Sequence, residues 1–269
     1  MMRSSAELLS MRRRRALITG AASGIGKAMA LRFAEARADL MLLDRDEAGL
    51  TLIADEARAY AVQVSTYVVD LEHKSQIDVF WGQADLAVPD ILINNAGSYP
   101  MREFLELDPG FLSRTLRVNL ESALWMCQGF IARRMGTKGA RKGGVIINVS
   151  SVEALAPLRD DLIPYSVSKA GILALTRALA HAYGREGFRV NVLVPGAIKT
   201  PGTARLAKAA ALRLNIDLMQ TGYLFEKRLA LGRWGEPDEV ARVALFLASD
   251  LASYVQGAAI PIDGGFLSS

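Results

Sequence analysis

ALITGAASGIG, at residues 16–26, joins a short apolar run to a glycine-rich turn. The run Ala16–Thr19 predicts a buried strand, and a helical pattern begins near Ile25. Glycines at 20, 24 and 26 allow a tight turn in which backbone amides approach a pyrophosphate, and the helix amino terminus adds partial positive charge. The spacing Gly-x-x-x-Gly-x-Gly also fits a purely structural turn. Its place between strand and helix favours a dinucleotide-binding turn.

Strands and helices alternate along most of the remaining chain. Uninterrupted apolar runs are typical of parallel strands covered on both faces, and parallel neighbours need right-handed crossovers. The sequence therefore predicts an α/β fold, a single doubly wound Rossmann-type domain over residues 15–269. About seven parallel strands with helices on both faces are expected. The predicted strands are Ala16–Thr19, Asp39–Leu43, Thr66–Val69, Ile91–Ile93, Gly144–Val149, Arg189–Val194 and Ala258–Ile262.

Two segments depart from this alternation. Residues 199–227 are longer than an ordinary loop and follow a predicted strand end, so we expect a substrate lid. Its basic residues fit an anionic substrate or, more simply, a solvated face; they are Arg205, Lys208 and Arg213. Residues 1–14 form a basic leader that we expect to be flexible. Four consecutive arginines at 12–15 could mark a nucleic-acid arm, but a solvated leader is favoured.

Composition excludes several classes of protein. The chain has 269 residues, 51% of them hydrophobic, and a net charge of +4. Its single cysteine, Cys127, excludes an internal disulfide framework and fits a reducing compartment. No run of about 18 uncharged apolar residues and no signal-peptide core are present, so we expect a cytoplasmic protein without a membrane partner. His73 and His181 have no second ligand at metal-binding spacing, so no metal is expected.

The predicted second strand ends at Asp44, eighteen residues after Gly26. An acidic residue there is placed to bind the ribose hydroxyls of NAD. A 2′-phosphate about 5 Å away would be repelled by about 3 kcal/mol at an effective dielectric near 20. Arg45 acts in the opposite sense, because a guanidinium can clamp a phosphate. We expect NAD as the cofactor, with NADP less favoured.

Tyr165 and Lys169 lie four residues apart in a strongly helical segment and therefore share one helix face. A free tyrosine has a pKa near 10, and a neighbouring ammonium would lower that pKa toward neutrality. Such a pair can protonate an alkoxide as hydride arrives, or deprotonate an alcohol as hydride leaves. Taken alone, the pair also fits an ordinary surface contact.

Together these motifs resemble a classical short-chain dehydrogenase/reductase, from about Arg15 to Phe266. The resemblance implies that Tyr165 is the general acid/base and that Lys169 lowers its pKa and grips the nicotinamide ribose. It implies that Ser151 stabilises the substrate oxygen and Asn119 supports a water relay. The motifs are Thr19–Gly26, residues 94–97 (NNAG), Ser151, Tyr165-x-x-x-Lys169, Pro195-Gly196, residues 233–237 (RWGEP) and residues 263–265 (DGG).

The resemblance also implies a set of cofactor contacts and an assembly, a homotetramer or homodimer. One departure is the separation of Ser151 and Tyr165, fourteen residues, about one more than is typical of the family. The intervening loop is therefore expected to bulge, and Ser150 is an alternative for the serine role. The implied cofactor residues, besides Asp44, Arg45, Tyr165 and Lys169, are Gly20, Ser23, Gly24, Ile25, Gly26, Asp70, Leu71, Asn95, Ala96, Gly97, Pro195, Gly196, Ile198 and Thr200.

We therefore expect an oxidoreductase that transfers a hydride between NAD(H) and a secondary alcohol or ketone of a small substrate. One alternative is an NADPH-dependent 3-oxoacyl-carrier-protein reductase. Another is a dinucleotide-sensing regulatory protein, which would be expected to lack the tyrosine or the lysine. A polyol, sugar, hydroxy acid, steroid-like alcohol or acyl thioester all fit as substrate. Candidates to line the substrate pocket are Tyr99, Met101, Glu153, Leu155 and Tyr223.

Overall fold

A computed structural model describes residues 2–136, 143–204 and 227–268. Seven strands form one sheet in the order β3-β2-β1-β4-β5-β6-β7, and every neighbouring pair is parallel. Each strand lies within two residues of its predicted bounds. The strands are β1 Arg15–Thr19, β2 Asp39–Asp44, β3 Val64–Val68, β4 Ile91–Asn94, β5 Gly144–Val149, β6 Phe188–Pro195 and β7 Ala259–Ile262.

The helices connect successive strands. Asp46 and Asp108 begin two of them as N-caps, accepting hydrogen bonds from Gly49 N at 3.0 Å and Phe111 N at 2.9 Å. A π-helical turn, Arg117–Glu121, separates two of the later helices. The helices are α1 Ser5–Leu9, α2 Gly24–Glu35, α3 Glu47–Arg58, α4 Lys74–Gly82, α5 Pro109–Leu116, α6 Ser122–Gly136, α7 Ile163–Tyr183 and α8 Pro237–Ala248.

Adjacent strand residues pack into different layers of core. Ile18 belongs to the cluster beneath α2, α3 and α8, whereas Leu17 belongs to the cluster beneath α4 and α6. Because successive strand side chains point to opposite faces, an apolar run fills both layers. Each fully buried aliphatic side chain contributes about 1.5–3 kcal/mol. The predicted doubly wound α/β fold is confirmed.

The strand order reverses beside β1, which pairs with β2 on one side and β4 on the other. The connections after β1 and β4 therefore leave in opposite directions, and a crevice opens at the carboxyl edge of the sheet. This edge carries the candidate site. None of the helices in the described ranges combines the length and apolar composition that a membrane span requires.

The basic leader contacts the opposite edge of the sheet. Arg3 and Arg14 both form ion pairs with Asp250, which follows α8. Met11 is fully buried, and its amide donates to the Ala36 carbonyl at 2.9 Å. Flexibility of residues 1–14 stays a prediction. Of the expected lid, only residues 199–204 and 227 are described, so Arg205, Lys208, Arg213 and Tyr223 lie outside the described residues.

Candidate active site

A cleft of about 1000 Å³ lies at the carboxyl edge, at the upper end of the usual size of small-molecule sites. It brings together every predicted catalytic and cofactor-binding residue except Gly26 and Asn119. The predicted residues that line it are Gly20, Ser23, Gly24, Ile25, Asp44, Arg45, Asp70, Leu71, Asn95, Ala96, Gly97, Ser151, Tyr165, Lys169, Pro195, Gly196, Ile198 and Thr200.

The glycine turn has the geometry that its spacing predicts. Gly20 and Gly24 have φ of +64° and +56°, where a side chain is strained. A Cβ at Gly26 would lie 2.0 Å from the Gly20 carbonyl oxygen, so only glycine fits there. Ser23, the N-cap of α2, makes no side-chain capping hydrogen bond. The first amides of α2 therefore remain available to an anion such as a pyrophosphate.

Thr19 and Asn95 tie the turn to the end of β4. The Asn95 amide side chain donates to the carbonyls of Thr19 and Gly20, at 3.0 and 3.1 Å. The Thr19 hydroxyl in turn accepts from the backbone amides of Asn95 and Ala96, at 3.0 and 3.1 Å. Asn95 thus shapes the turn as well as lining the cleft. The role of Thr19 has no local sequence signal and was missed by sequence analysis.

The adenosine end of the cleft is acidic. The Asp44 carboxylate accepts hydrogen bonds from the backbone amides of Ala22 and Asp46, at 3.0 and 3.1 Å. A carboxylate has about four lone-pair positions, so Asp44 keeps capacity for ribose hydroxyls. Asp70 accepts from the Glu72 amide at 3.0 Å, next to the buried Leu71. These groups fit the ribose and adenine of a dinucleotide.

Tyr165 and Lys169 meet Ser151 at the other end of the cleft. Ser151 and Tyr165 both line the cleft, and Ser151 lies close enough to the phenol to lower its pKa. Lys169 Nζ donates to the Val149 carbonyl at 2.9 Å and lies 5.8 Å from the centre of the Tyr165 ring. Lys169 is buried and Tyr165 is half-buried beside the cleft, which argues against an ordinary surface contact.

Burial shifts the pKa values of both Tyr165 and Lys169, whereas the sequence predicts only a lowering of the tyrosine pKa by the lysine ammonium. Burial raises the pKa of Tyr165 to about 12, against a smaller lowering by Ser151. Burial also lowers the pKa of Lys169 to about 8. Desolvation acts on both groups, and Lys169 Nζ is directed to a backbone carbonyl; the lowering of the tyrosine pKa by the ammonium stays a prediction.

Asn119 lies in the π-helical turn and is 1% exposed. Its side chain accepts from the Ser98 amide and donates to the Ser98 carbonyl, both at 2.7 Å. A methyl group added at Gly97 would lie 3.2 Å from both Asn119 Oδ1 and Lys169 Nζ. Asn119 therefore holds the loop after β4 against Lys169. The expected water relay stays a prediction.

The two serines after β5 have different surroundings. Ser150 Oγ donates to the Lys169 carbonyl at 2.8 Å, so its proton is engaged with α7. Ser151 lines the cleft beside Tyr165, which favours Ser151 for the serine role. Two 3-10 turns, Val152–Ala154 and Asp160–Leu162, occupy the connection to α7. They accommodate the additional residue that the spacing indicates.

The substrate end of the cleft includes residues that sequence analysis missed. Tyr99, a predicted candidate, lines it, but Met101, Glu153 and Leu155 do not. Four further lining residues follow helical spacing along one face, a signal present in the sequence. They are Phe111, Arg114, Thr115 and Val118.

Within the described ranges, no group of three or more His, Cys, Asp or Glu side chains is placed to hold a metal ion. His73 is the N-cap residue of α4, and His181 lies in the last turn of α7. Cys127 is buried, and burial raises the pKa of its thiol to about 12. Cys127 therefore packs as a small apolar residue, as predicted.

Comparison with known proteins agrees with this geometry. A family model described as enoyl-(acyl carrier protein) reductase matches residues 20–267. Galactitol 2-dehydrogenase (L-tagatose-forming) of Cereibacter sphaeroides is 35% identical, over 93% of this chain and 94% of its own. The 3-oxoacyl-[acyl-carrier-protein] reductase of Thermotoga maritima is 34% identical, over 93% of this chain and 96% of its own.

A solved structure shows the same likeness in three dimensions. The gluconate 5-dehydrogenase of Burkholderia cenocepacia J2315, in complex with NADP and tartrate, superposes with a TM-score of 0.87 at 30% identity. The match covers 99% of this chain and 100% of the other. The chain therefore belongs to the classical short-chain dehydrogenase/reductase family, and it is an oxidoreductase that acts on alcohol or carbonyl groups with a nicotinamide dinucleotide.

Proposed function

We propose that the protein interconverts a secondary alcohol and a ketone of a small polyhydroxylated substrate, with NAD(H) as cofactor and Tyr165 as general acid/base. The observation that carries the proposal is the meeting of Tyr165, Ser151 and Lys169 in the cleft that also contains the glycine turn. The presence of both tyrosine and lysine argues against a dinucleotide sensor that has lost its chemistry.

The residues for cofactor binding follow the length of the cleft. The turn Gly20–Gly26 and the first amides of α2 would hold the pyrophosphate, and Asp44 would hold the adenosine ribose. Lys169 Nζ has three donors, of which one is directed to the Val149 carbonyl, so it can also bind the nicotinamide ribose. When bound, the nicotinamide supplies the hydride acceptor or donor.

Proton transfer is assigned to the serine and the tyrosine. Ser151 would hydrogen-bond the substrate oxygen and stabilise the charge that develops on it. Tyr165 would accept the alcohol proton during oxidation and return it to the alkoxide during reduction. The buried phenol resists ionisation on its own, so we expect the positive charge of the oxidised cofactor to favour the phenolate. Asn119 would support a proton path from Lys169 to solvent.

A polyhydroxylated substrate is supported by the chemistry of the cleft. Its substrate end carries hydroxyl and guanidinium groups, which hydrogen-bond hydroxyls or a carboxylate; they belong to Ser98, Tyr99, Arg114 and Thr203. Two of the relatives are named for galactitol and gluconate. Reduction of a 3-oxoacyl thioester with NADPH is the second candidate, because a relative with that name is equally similar. A homotetramer or homodimer is proposed from family membership.

A substrate panel tests the proposal. Polyols, sugars, sugar acids and acetoacetyl thioester are screened with NAD(H) and NADP(H) by absorbance of the reduced nicotinamide. We expect turnover of a polyhydroxylated alcohol, and Tyr165→Phe should lower kcat by about 1000-fold or more while cofactor affinity changes little. Near-normal turnover by Tyr165→Phe would contradict the assigned chemistry, and activity confined to the thioester would select the second candidate.

A further inference from the structure

Glu153 is a buried acidic residue that the proposed mechanism does not use. It is 7% exposed and does not line the cleft, so it is not a substrate ligand in the described structure. Burying a carboxylate is costly unless hydrogen bonds compensate it. Burial raises the pKa of the Glu153 carboxyl, and hydrogen bonds from Leu158 and Ser166 act in the opposite sense.

The contacts of Glu153 join the two sides of the proton-transfer pair. Its backbone amide donates to the Ser151 hydroxyl oxygen at 3.2 Å, and Ser151 lines the cleft with Tyr165 and lowers the pKa of its phenol. Its carboxylate Oε2 accepts from the Leu158 amide at 3.0 Å and from the hydroxyl of Ser166 at 3.4 Å. Ser166 is the next residue after Tyr165. One residue thus closes the loop between the serine and the tyrosine.

The nearby cation does not form an ion pair with Glu153. Arg159 binds both carboxylate oxygens of Asp161, at 2.8 and 2.5 Å, and the Asp161 carbonyl accepts from the Arg102 amide at 2.9 Å. Glu153 is therefore held by an amide and a hydroxyl, which are neutral donors. At longer range, the positive charge of Arg159 lowers the pKa of the Glu153 carboxyl and the negative charge of Asp161 raises it.

We propose that Glu153 is a positioning residue for proton transfer: its backbone amide holds the Ser151 hydroxyl, and its buried carboxylate ties the same segment to the Tyr165 end of α7. The inference rests on the proposed function, since it needs Tyr165 as the acid/base. The serine-to-tyrosine loop, one residue longer than is typical of the family, is closed by this contact. The same carboxylate faces Tyr165, so its charge also acts on the phenol.

The sign of that charge effect is determined by the surroundings of Tyr165. After burial, the negative charge of Glu153 and the neighbouring Tyr99 both raise the pKa of the phenol. Lys169 lies 5.8 Å from the ring centre, and burial favours its neutral form. Removing the charge of Glu153 should therefore ease ionisation of Tyr165. The pH at which oxidation reaches half its maximal kcat should move to lower pH.

Two substitutions separate position from charge. Glu153→Gln keeps an acceptor for Leu158 and Ser166 but removes the charge, so kcat at its optimum should stay within about threefold while the profile moves to lower pH. Glu153→Ala removes the acceptor as well, so kcat should fall about 10- to 100-fold through misplacement of the reacting groups. Cofactor affinity, measured by quenching of protein fluorescence, should be unchanged in both. The exposed Glu106→Gln is the matched control and should leave the profile unchanged.

The outcomes are distinguishable. An unchanged pH profile in folded Glu153→Gln, or full kcat in folded Glu153→Ala, overturns the inference. A shift in melting temperature without a shift in the pH profile means a merely structural carboxylate and also overturns it. Tyr165→Phe is assayed alongside. If Tyr165→Phe turns over normally, the proposed function itself fails. If Tyr165→Phe loses activity while Glu153→Gln keeps an unchanged pH profile, only the inference about Glu153 is rejected.

Discussion

Asp44 is the side chain from which we propose the cofactor preference. Its carboxylate lines the adenosine end of the cleft and is fixed by two backbone amides. A 2′-phosphate at that position would meet a fixed negative charge, a repulsion of about 3 kcal/mol at ~5 Å. Arg45 lines the same end and would partly offset this repulsion. We therefore propose NAD as the preferred cofactor; the bacterial gluconate 5-dehydrogenase was solved with NADP.

Asp44→Asn tests this preference with little change in shape. The amide keeps an acceptor for the Ala22 amide but removes the charge. We expect the ratio of kcat/KM for NAD to kcat/KM for NADP to fall by about 10- to 100-fold, mainly through better use of NADP. Steady-state kinetics with both cofactors measure it. Asp55→Asn, on the exposed face of α3, should leave the ratio unchanged; a higher kcat/KM with NADP in the unsubstituted protein would refute the assignment.

The glycine turn, Asp44 and the Tyr165–Lys169 pair could be predicted from the sequence because each is marked by a local pattern. The spacing of the three glycines, an acid at the end of β2 and a tyrosine four residues before a lysine are all read within short windows. The pKa of Tyr165 was not accessible in this way, because it depends on burial by elements far apart in the chain. Burial raises the pKa of the phenol, and the lowering expected from the lysine stays a prediction.

Helix α6 depends on a glycine that is unremarkable in the sequence. A Cβ at Gly129 would lie 2.4 Å from the Trp81 ring of α4, which is a rigid and buried neighbour. Gly136, at the end of the same helix, has no atom of the described residues within 4 Å of the equivalent position. Helix packing therefore demands glycine at one position and not at the other.

Gly129→Ala and Gly136→Ala form a matched pair. We expect Gly129→Ala to lower the free energy of unfolding by about 1–3 kcal/mol through overpacking. Gly136→Ala should change it by less than about 1 kcal/mol, in the stabilising direction, because alanine favours the helix. Urea unfolding followed by circular dichroism measures both. Equal stability of Gly129→Ala and the unsubstituted protein would mean that α4 and α6 do not pack as described.

The free energy of unfolding should depend on pH because Lys169 is buried. Burial lowers the pKa of Lys169 from 10.5 to about 8, so between these values the unfolded chain binds more protons than the native protein. The free energy of unfolding therefore rises with pH across that window. At neutral pH the buried ammonium costs at most about 3 kcal/mol, a penalty tolerated at a functional site.

Lys169→Met removes this penalty together with catalysis. At pH 7 we expect the variant to be at least as stable as the unsubstituted protein, despite losing the hydrogen bond to Val149, worth about 1 kcal/mol. The advantage should shrink as pH rises from 8 to 10. Thermal melts across this range provide the measurement, and the exposed Lys74→Met should show no such trend. A difference independent of pH would show that Lys169 titrates normally.

Local patterns were sufficient to predict the seven parallel strands, the glycine turn and the pairing of Tyr165 with Lys169 on one helix face, whereas Ser151 and Asn119 were implied by the family resemblance. They were sufficient because apolar runs, glycine spacing and helical periodicity encode neighbours within a few residues. Other features arise only when distant segments meet: Ser151 beside Tyr165, Asn119 holding Ser98, Gly129 against Trp81, and Glu153 closing the loop before α7. Burial and proximity across the fold set these contacts and the resulting acidities, and neither quantity is a property of any short stretch of chain.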